Sequence, residues 1–201
     1  MRKLSWLGCF IGLLAITRGA LADQVRVDVD GVSGEVLDNV LLLLRMEQLT
    51  GRQSELTARA IQRAHSRAVE DITLALQPFG FYQPTVQTDL QKVSQTRQGE
   101  QIWQARYQIQ AGPRVAYRHI EIDLAHQERA WPESLGRPDF TVGAPLSHPA
   151  YEQQKNTLIN SAYDQGFLDA KFQRAELKIY PELRSADVAR QVAFGEKFTF
   201  G

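Results

Sequence analysis

The chain has 201 residues, a formal net charge of zero and one cysteine. This length allows one medium-sized domain or two small ones beside a targeting segment. The balanced charge gives no basic surface for nucleic acid, and a single cysteine excludes an intramolecular disulfide.

Residues 1–22 have the pattern of an export signal. Basic residues precede the apolar run LSWLGCFIGLLAIT, and the small residues ALA form a cleavage site before Asp23. Arg18 interrupts the apolar run before it reaches the roughly 20 residues of a membrane span. We therefore expect export and removal of residues 1–22, which hold Cys9 and three of the 23 basic residues. The remaining 20 basic and 23 acidic residues give a net charge of −3.

The first predicted elements are one strand and two helices. The alternation of QVRVDVDG at 24–31 is typical of a half-buried strand. Helical spacing of apolar residues follows in VSGEVLDNVLLLL, with Ser33 as its N-cap. A longer helix is expected from Ser54 to Gly80, with a stripe of alanines and isoleucines that faces a sheet.

Two strands complete this unit. Residues 81–90 form the first strand, in which Tyr82 starts a face shared with Val86 and Leu90. Residues 102–111 form the second, and the polar segment QKVSQTRQGEQ joins the two as a hairpin loop. The pattern predicts a β-α-α-β-β order.

The second half repeats much of this order. RHIEIDL at 118–124 alternates like a strand, a short helix is expected near 130–136, and Ser147 caps a longer helix. A strand is expected over 167–180, where the inward parity changes after Phe172 and indicates a bulge. The alternation in ADVARQVAF predicts the last strand.

Two helices end on the same motif. Gly80-Phe81 and Gly166-Phe167 each stand between a predicted helix and a predicted strand. A glycine adopts the positive φ of a helix C-terminus without steric penalty, and we expect each phenylalanine to cover the corner between helix and sheet.

The boundary between the halves is also repeated. AGPRVAYRH at 111–119 resembles FGEKFTFG at 194–201 in its Gly-x-basic-apolar spacing. We therefore expect two similar modules, at 23–112 and 113–195, with residues 196–201 as the start of a truncated third.

A family resemblance follows from these motifs. Tandem β-α-α-β-β modules behind an export signal resemble the POTRA domains of the Omp85 superfamily of outer-membrane assembly factors. The motifs that carry this resemblance are GFYQPTV, VGAPLSHPAYEQQKNTL and GFLDAKF. VRVDVDGVSGEVLDNV and LQPFGFYQPTVQTDL are similar to the first module of the TamA (translocation and assembly module) family. The resemblance implies an α+β fold with a three-stranded mixed sheet and helices on one face.

The resemblance also implies a function and partners. It implies a periplasmic scaffold at the outer membrane that helps to assemble autotransporters and other outer-membrane proteins. Family members carry three such modules before a carboxy-terminal membrane barrel, and they face an inner-membrane-anchored TamB partner. The chain as given contains neither the third module nor the barrel.

We find no pattern that indicates catalysis. His119, Glu121 and Asp123 share one strand face and spread over roughly 13 Å, too far for one metal ion, so we expect a solvated face. His65 and His148 are expected at the surface. No GxSxG, HExxH or phosphate-binding loop occurs, and we expect no catalytic residue, cofactor or metal.

Binding is instead expected at a sheet edge. The resemblance places the second strand of each module at an edge, where its free backbone groups can pair with an incoming strand. Pro84 fits an edge position but either limits pairing there or simply protects the edge from aggregation. The candidate contact residues are Tyr82, Pro84, Gln173 and Lys178, although core packing is the alternative role for Tyr82 and also for Phe167.

Other functions stay open at this point. The modules could belong to a two-partner secretion transporter or a division protein. A periplasmic hydrolase or ligand-binding protein of α+β fold is the alternative from another class, and a deep apolar pocket with convergent polar groups would favour it.

Overall fold

The computed structural model describes residues 23–50, 56–95, 101–125 and 141–198. Four sequence predictions lie outside these ranges: the export signal, the Ser54 cap, the short helix near 130–136 and the last three residues of the repeated boundary.

The described residues of the first half form three strands and four α-helices in the order β-α-β-β, with all four helices between the first two strands. One strand precedes the helices and two follow them. A 3₁₀ turn at Gln77–Phe79 links the last helix to the second strand. The elements are β1 (Gln24–Asp30), α1 (Gly34–Leu43), α2 (Glu47–Thr50), α3 (Ala58–Ser66), α4 (Ala68–Leu76), β2 (Thr85–Gln95) and β3 (Gln101–Gln110).

The second half contains three strands and, in its described part, one long helix. A 3₁₀ turn at Pro181–Leu183 joins its last two strands. The elements are β4 (Ala116–Ala125), α5 (His148–Asp164), β5 (Lys171–Tyr180) and β6 (Ser185–Ala193).

Each half builds its own three-stranded mixed sheet with the same topology. The strand order is β1-β3-β2 in the first sheet and β4-β6-β5 in the second. The first strand of each sheet runs parallel to the central strand, and the second strand runs antiparallel to it. The predicted α+β class with two three-stranded mixed sheets is therefore confirmed, whereas the module boundaries 23–112 and 113–195 stay predictions.

The core of the first half lies between the sheet and the helices. Alternate residues of β3 are buried, as their spacing predicts for one face of a strand. Small and apolar residues of α1, α3 and α4 cover this face. Burial of apolar surface stabilises the folded state by about 25 cal/mol per Å². The buried members include Val40, Leu44, Ile61, Ala64, Ala68, Ile72, Trp103, Ala105, Tyr107 and Ile109.

The core of the second half consists of two clusters along β6. One cluster contains Ala186 and Val188 at the start of the strand, and the other contains Val192 together with Phe194 beyond its end. Helix α5 spans both, since Tyr151 lies in the first cluster and Leu158 in the second. Ser147 caps α5 as predicted, because its Oγ accepts a hydrogen bond from the Ala150 amide at 3.3 Å.

Several predicted boundaries are wrong. The long helix of the first half is divided at Arg67 into α3 and α4, and it begins after Thr57, whose Oγ1 accepts from the Ala60 amide at 3.2 Å. The first five residues of the predicted polar hairpin loop are strand, since β2 continues to Gln95. Strand β5 begins at Lys171 rather than at residue 167, and Leu168, which was expected inside, is exposed.

Candidate functional site

The second strand of each sheet lies at a sheet edge, as the resemblance implied. Strand β2 pairs only with β3, and β5 pairs only with β6. Strands β1 and β4 form the opposite edges, which the sequence analysis did not consider. Within the described residues, β2 and β5 therefore have one side of the backbone without a strand partner, the geometry that strand addition requires. The start of β4, by contrast, pairs on its outer side with residues 143–146.

Strand β5 carries the bulge that the change of parity predicted. Its register against β6 shifts between Phe172 and Arg174, so Gln173 is the extra residue. Beyond the bulge, Leu177 and Ile179 pack against the first cluster of the second core, while Lys178 is exposed. The strand thus has one apolar face fixed by packing and one free face.

Charged side chains line the free face of β5. Glu176 accepts a hydrogen bond from Arg174 at 3.0 Å, and the Lys178 ammonium lies 3.3 Å from the same carboxylate. The hydrogen bond from Arg174, and then that from Lys178, lowers the pKa of Glu176 to about 2. The Glu176 side chain is largely accessible to solvent, so this pairing fixes side-chain positions more than it stabilises the fold.

The neighbouring strands continue this polar face. His119 and Glu121 of β4 line a shallow depression of 180 Å³ together with Arg174, Glu176 and Asp187. Asp187 accepts hydrogen bonds from Arg118, and these lower the pKa of the carboxyl. Within the described residues, no group of three or more His, Cys, Asp or Glu side chains is placed to hold a metal ion.

Two of the predicted edge contacts lie elsewhere. Strand β2 begins at Thr85, so Pro84 stands just before the strand and removes no amide from it. Tyr82 also precedes β2 and packs against the first cluster of the second core. Its Oη lies 2.9 Å from Nε2 of His148. Tyr82 is therefore part of the contact between the two halves, in agreement with the alternative role of core packing.

The joint between the halves is built on Gly80. This residue has a φ of +87°, the left-handed conformation predicted for it. The Val115 amide donates a hydrogen bond to its carbonyl at 2.8 Å, and the guanidinium of Arg114 lies 5.4 Å from the centre of the Phe81 ring. Arg114 also donates to the carbonyls of Phe79 and Leu146, which belong to different halves.

The same arrangement occurs at Gly166. Its φ is +88°, and the Phe198 amide donates to its carbonyl at 2.8 Å. The Lys197 ammonium lies 5.8 Å from the centre of the Phe167 ring. Phe167 packs against Phe194, with ring centres 5.5 Å apart. The repeated boundary in the sequence thus corresponds to a repeated contact in the structure.

Two histidines that were expected at the surface are partly buried. His65 Nδ1 lies 3.1 Å from Tyr107 Oη, and burial lowers the pKa of His65 although Asp89 acts to raise it. Burial likewise lowers the pKa of His148, against a smaller opposing effect of Glu152. The sequence pattern gave no sign of either contact, because both partners are distant along the chain.

Arg190 is a buried cation that the sequence analysis missed. It is 3% exposed on β6, where the alternation leads one to expect an apolar residue. Its Nη2 donates to the Tyr151 carbonyl at 3.1 Å, and its guanidinium lies 4.2 Å from the centre of the Tyr151 ring. Burial lowers the pKa of Arg190. A charged residue at an inward position of an otherwise apolar strand was the available signal.

One family model matches the first half. Residues 26–111 match the family model for POTRA domain TamA domain 1. The first half is therefore similar to a POTRA domain. The matched range contains β1 from Arg26 onward, α1 to α4, β2 and β3. No helix in the described part of the chain is both long and apolar enough to span a membrane.

Several solved structures are similar to most or nearly all of the chain. The POTRA3–5 segment of BamA from Haemophilus influenzae is 12% identical, with 88% of this chain and 68% of that chain covered and a TM-score of 0.41. POTRA1–2 of the periplasmic domain of Omp85 from Anabaena is 17% identical, with 89% and 97% covered and a TM-score of 0.34. CdiB from Acinetobacter baumannii is 8% identical, with 99% and 34% covered and a TM-score of 0.30.

Proposed function

We propose that this chain is the periplasmic interaction region of an outer-membrane protein assembly factor of the TamA type. The observation that carries the proposal is the match of residues 26–111 to the first POTRA domain of that family. In this role the two modules hold partner and client segments without performing chemistry on them. The expected clients are autotransporters and other outer-membrane proteins, and the expected partner is an inner-membrane-anchored, TamB-like protein.

The open edge of β5 is the proposed site for client segments. Among the residues that the structure describes, no strand pairs with its outer side, and it contains no proline between Lys171 and Tyr180. Backbone pairing does not depend on the identity of the incoming side chains, which suits a factor that receives many different strands. The paired charges of Arg174, Glu176 and Lys178 leave the free face polar, a feature that discourages unspecific edge-to-edge association.

A peptide titration tests this proposal. The probe is a fluorescent peptide that copies one alternating strand of an outer-membrane protein. We expect Lys178→Ala to bind the probe within about twofold of the unchanged chain, because backbone pairing tolerates a changed side chain. Lys178→Pro and Glu176→Pro each remove a backbone N–H donor. Because these residues are two positions apart on the strand, both N–H groups lie on the same side of β5.

The two proline variants are expected to weaken binding at least fivefold while circular dichroism shows an intact fold. If either variant unfolds, we infer that the amides of residues 176 and 178 point toward β6 and are needed for the sheet. Leu177→Pro and Ile179→Pro, whose amides then point outward, become the test variants. Equal affinity of every folded proline variant and the unchanged chain would contradict strand addition at β5.

A further inference from the structure

A groove in the first module has no role in the sheet-edge function proposed above. It lies on the helical side, between the α1–α2 connection and α3, and its volume is 360 Å³. This volume falls in the range typical of ligand-binding clefts, roughly 300–1,000 Å³. Its lining combines three arginines with small or apolar side chains: Arg45, Gln48, Leu49, Ala60, Arg63, Ala64 and Arg67.

One of the three arginines is neutralised within the protein. Arg45 Nη1 lies 3.0 Å from Oδ1 of Asp71, and Oδ2 of the same carboxylate accepts from the Arg45 amide at 3.1 Å. Asp71 is 4% exposed, so the pair is anchored in the core. Arg45 therefore forms a fixed wall of the groove.

The other two arginines carry charge that the described part of the chain does not offset. Among the described carboxylates, none lies within 4.0 Å of the guanidinium of Arg63 or Arg67, and both side chains are exposed. A guanidinium presents several donors in one plane and binds a carboxylate through two parallel hydrogen bonds. The groove thus offers two such forks to an anionic group.

The floor of the groove is apolar and has little bulk. Leu49 and Ala60 are partly buried members of the first core, and Ala64 is buried. The two alanines leave space above α3 that a larger residue would fill. An occupant that satisfies this surface needs an apolar side chain as well as negative charge.

The spacing of the cations indicates the form of the occupant. Arg63 and Arg67 are four positions apart, which places their Cα atoms about 6 Å apart along the helix axis. The Cα atoms of two acidic residues four positions apart on a helix have the same separation along its axis. The Cα atoms of two acidic residues two positions apart on a strand are about 6.6 Å apart. A peptide segment can match this spacing and insert an aliphatic side chain between the two charges.

We propose that this groove binds an acidic segment of a partner protein, with two carboxylates on Arg63 and Arg67 and one aliphatic side chain on Leu49, Ala60 and Ala64. The site differs from the β5 edge in module, chemistry and mode of recognition. Its failure would leave the proposed sheet-edge function untouched, and the reverse also holds.

The test uses the complete chain and a fluorescent alanine-based helical peptide with two glutamates four residues apart and one leucine on the same face. A second peptide has glutamine in place of both glutamates. The variants are Arg63→Glu and Arg67→Glu. Arg59→Glu is the matched control, because Arg59 is an exposed arginine of the same helix that does not line the groove.

We expect the acidic peptide to bind at least tenfold more tightly than the glutamine peptide at low ionic strength. Arg63→Glu and Arg67→Glu should each weaken binding at least tenfold, and Arg59→Glu less than twofold. Circular dichroism is expected to be the same for all three variants, because each change is at the surface.

Three results would overturn the proposal. They are equal binding of the two peptides, an equal loss of affinity in Arg59→Glu, and an unchanged affinity of the acidic peptide when serine replaces its leucine. Vesicles with 30% anionic lipid are a parallel arm at about physiological ionic strength. If the vesicles bind in a manner that depends on Arg63 and Arg67 while the acidic peptide does not bind, the groove recognises a membrane surface and the assignment to a protein segment is wrong.

Discussion

Tyr82 Oη lies 2.9 Å from His148 Nε2, so a side chain that follows the helices of the first half contacts the first turn of α5 in the second. Tyr82 also packs against the core cluster of the second half. With the bond from the Val115 amide to the Gly80 carbonyl, this contact couples the two sheets through side chains and backbone. The relative placement of the modules depends on this small set of contacts.

We expect Tyr82→Ala to lower the free energy of unfolding by roughly 1–3 kcal/mol, because it removes a partly buried ring from the second core. Tyr82→Phe keeps the ring and should cost about 0.5–1.5 kcal/mol, the contribution of a single hydrogen bond. Urea titration followed by circular dichroism measures both. A cost of Tyr82→Phe equal to that of Tyr82→Ala would show that the ring contributes nothing to the joint.

The two partly buried histidines should make stability depend on pH. Burial lowers the pKa of His65 and of His148 in the folded state, so the unfolded chain binds more protons once the pH falls to its histidine pKa of about 6.5. The histidine contribution to stability is therefore complete above this pKa and decreases as the pH falls below it. Melting temperatures at pH 7.5 and pH 5.5 measure the loss.

The variant His148→Gln tests the cause of this pH dependence. Glutamine keeps a hydrogen-bonding group near Tyr82 but does not titrate, so the difference between the two melting temperatures should become smaller. His119→Gln is the control, because His119 is exposed on β4. An unchanged difference in His148→Gln would show that other groups cause the pH dependence.

Gly80 and Gly166 are expected to be sensitive to any side chain. A non-glycine residue at positive φ costs about 1–3 kcal/mol. A Cβ would also lie 2.8 Å from the Leu146 carbonyl oxygen at Gly80, and 2.5 Å from that of Phe198 at Gly166. Overpacking of this kind adds typically 1–3 kcal/mol.

Gly143 separates these two causes. Its φ is also +87°, but a Cβ there would meet nothing within 4 Å. We therefore expect Gly143→Ala to show the conformational cost alone, and Gly80→Ala and Gly166→Ala to cost more, as measured by urea titration. Equal losses at all three positions would contradict the role of close backbone contact at the joints.

Arg190 should contribute to the stability of the second half. We expect Arg190→Ala to cost about 2–5 kcal/mol, as large-to-small changes in a core do, because it leaves a cavity beside Tyr151 and removes a donor from the Tyr151 carbonyl. Arg174→Ala removes an exposed, solvent-screened ion pair and should change the stability much less. Urea titration of both variants checks the difference, and similar losses would show that the buried arginine has no special role.

Local signals in the sequence predicted most of the fold. The alternation in β3 and β6, the Ser147 cap and the bulge at Gln173 depend on neighbouring residues, and each agrees with the structure. The topology of two mixed sheets came from the repeated order and the family resemblance. The division of the long helix at Arg67 was missed, because apolar periodicity continues across it.

The contacts of the candidate sites were harder to predict. The sequence pattern places Tyr82 on the same strand face as Val86, yet Tyr82 packs against the core of the second half. The groove of Arg45, Arg63 and Arg67 requires two segments to meet, and only Arg63 and the α3 C-cap Arg67 are close enough in the sequence to share a helical spacing. Such contacts depend on tertiary packing, which single-sequence periodicity does not describe.

Hydrogen exchange of backbone amides tests the central claim, that extended client segments add to the free edge of β5, most directly. Exchange is measured by NMR with and without a saturating strand peptide from an outer-membrane protein. In an edge strand, only every second backbone N–H points away from the sheet and is free to pair with a new strand. We predict slower exchange at alternate residues of Lys171–Tyr180, with unchanged exchange in β6, whose antiparallel partner is β5 itself. Unchanged exchange throughout Lys171–Tyr180 in the presence of bound peptide would contradict the account.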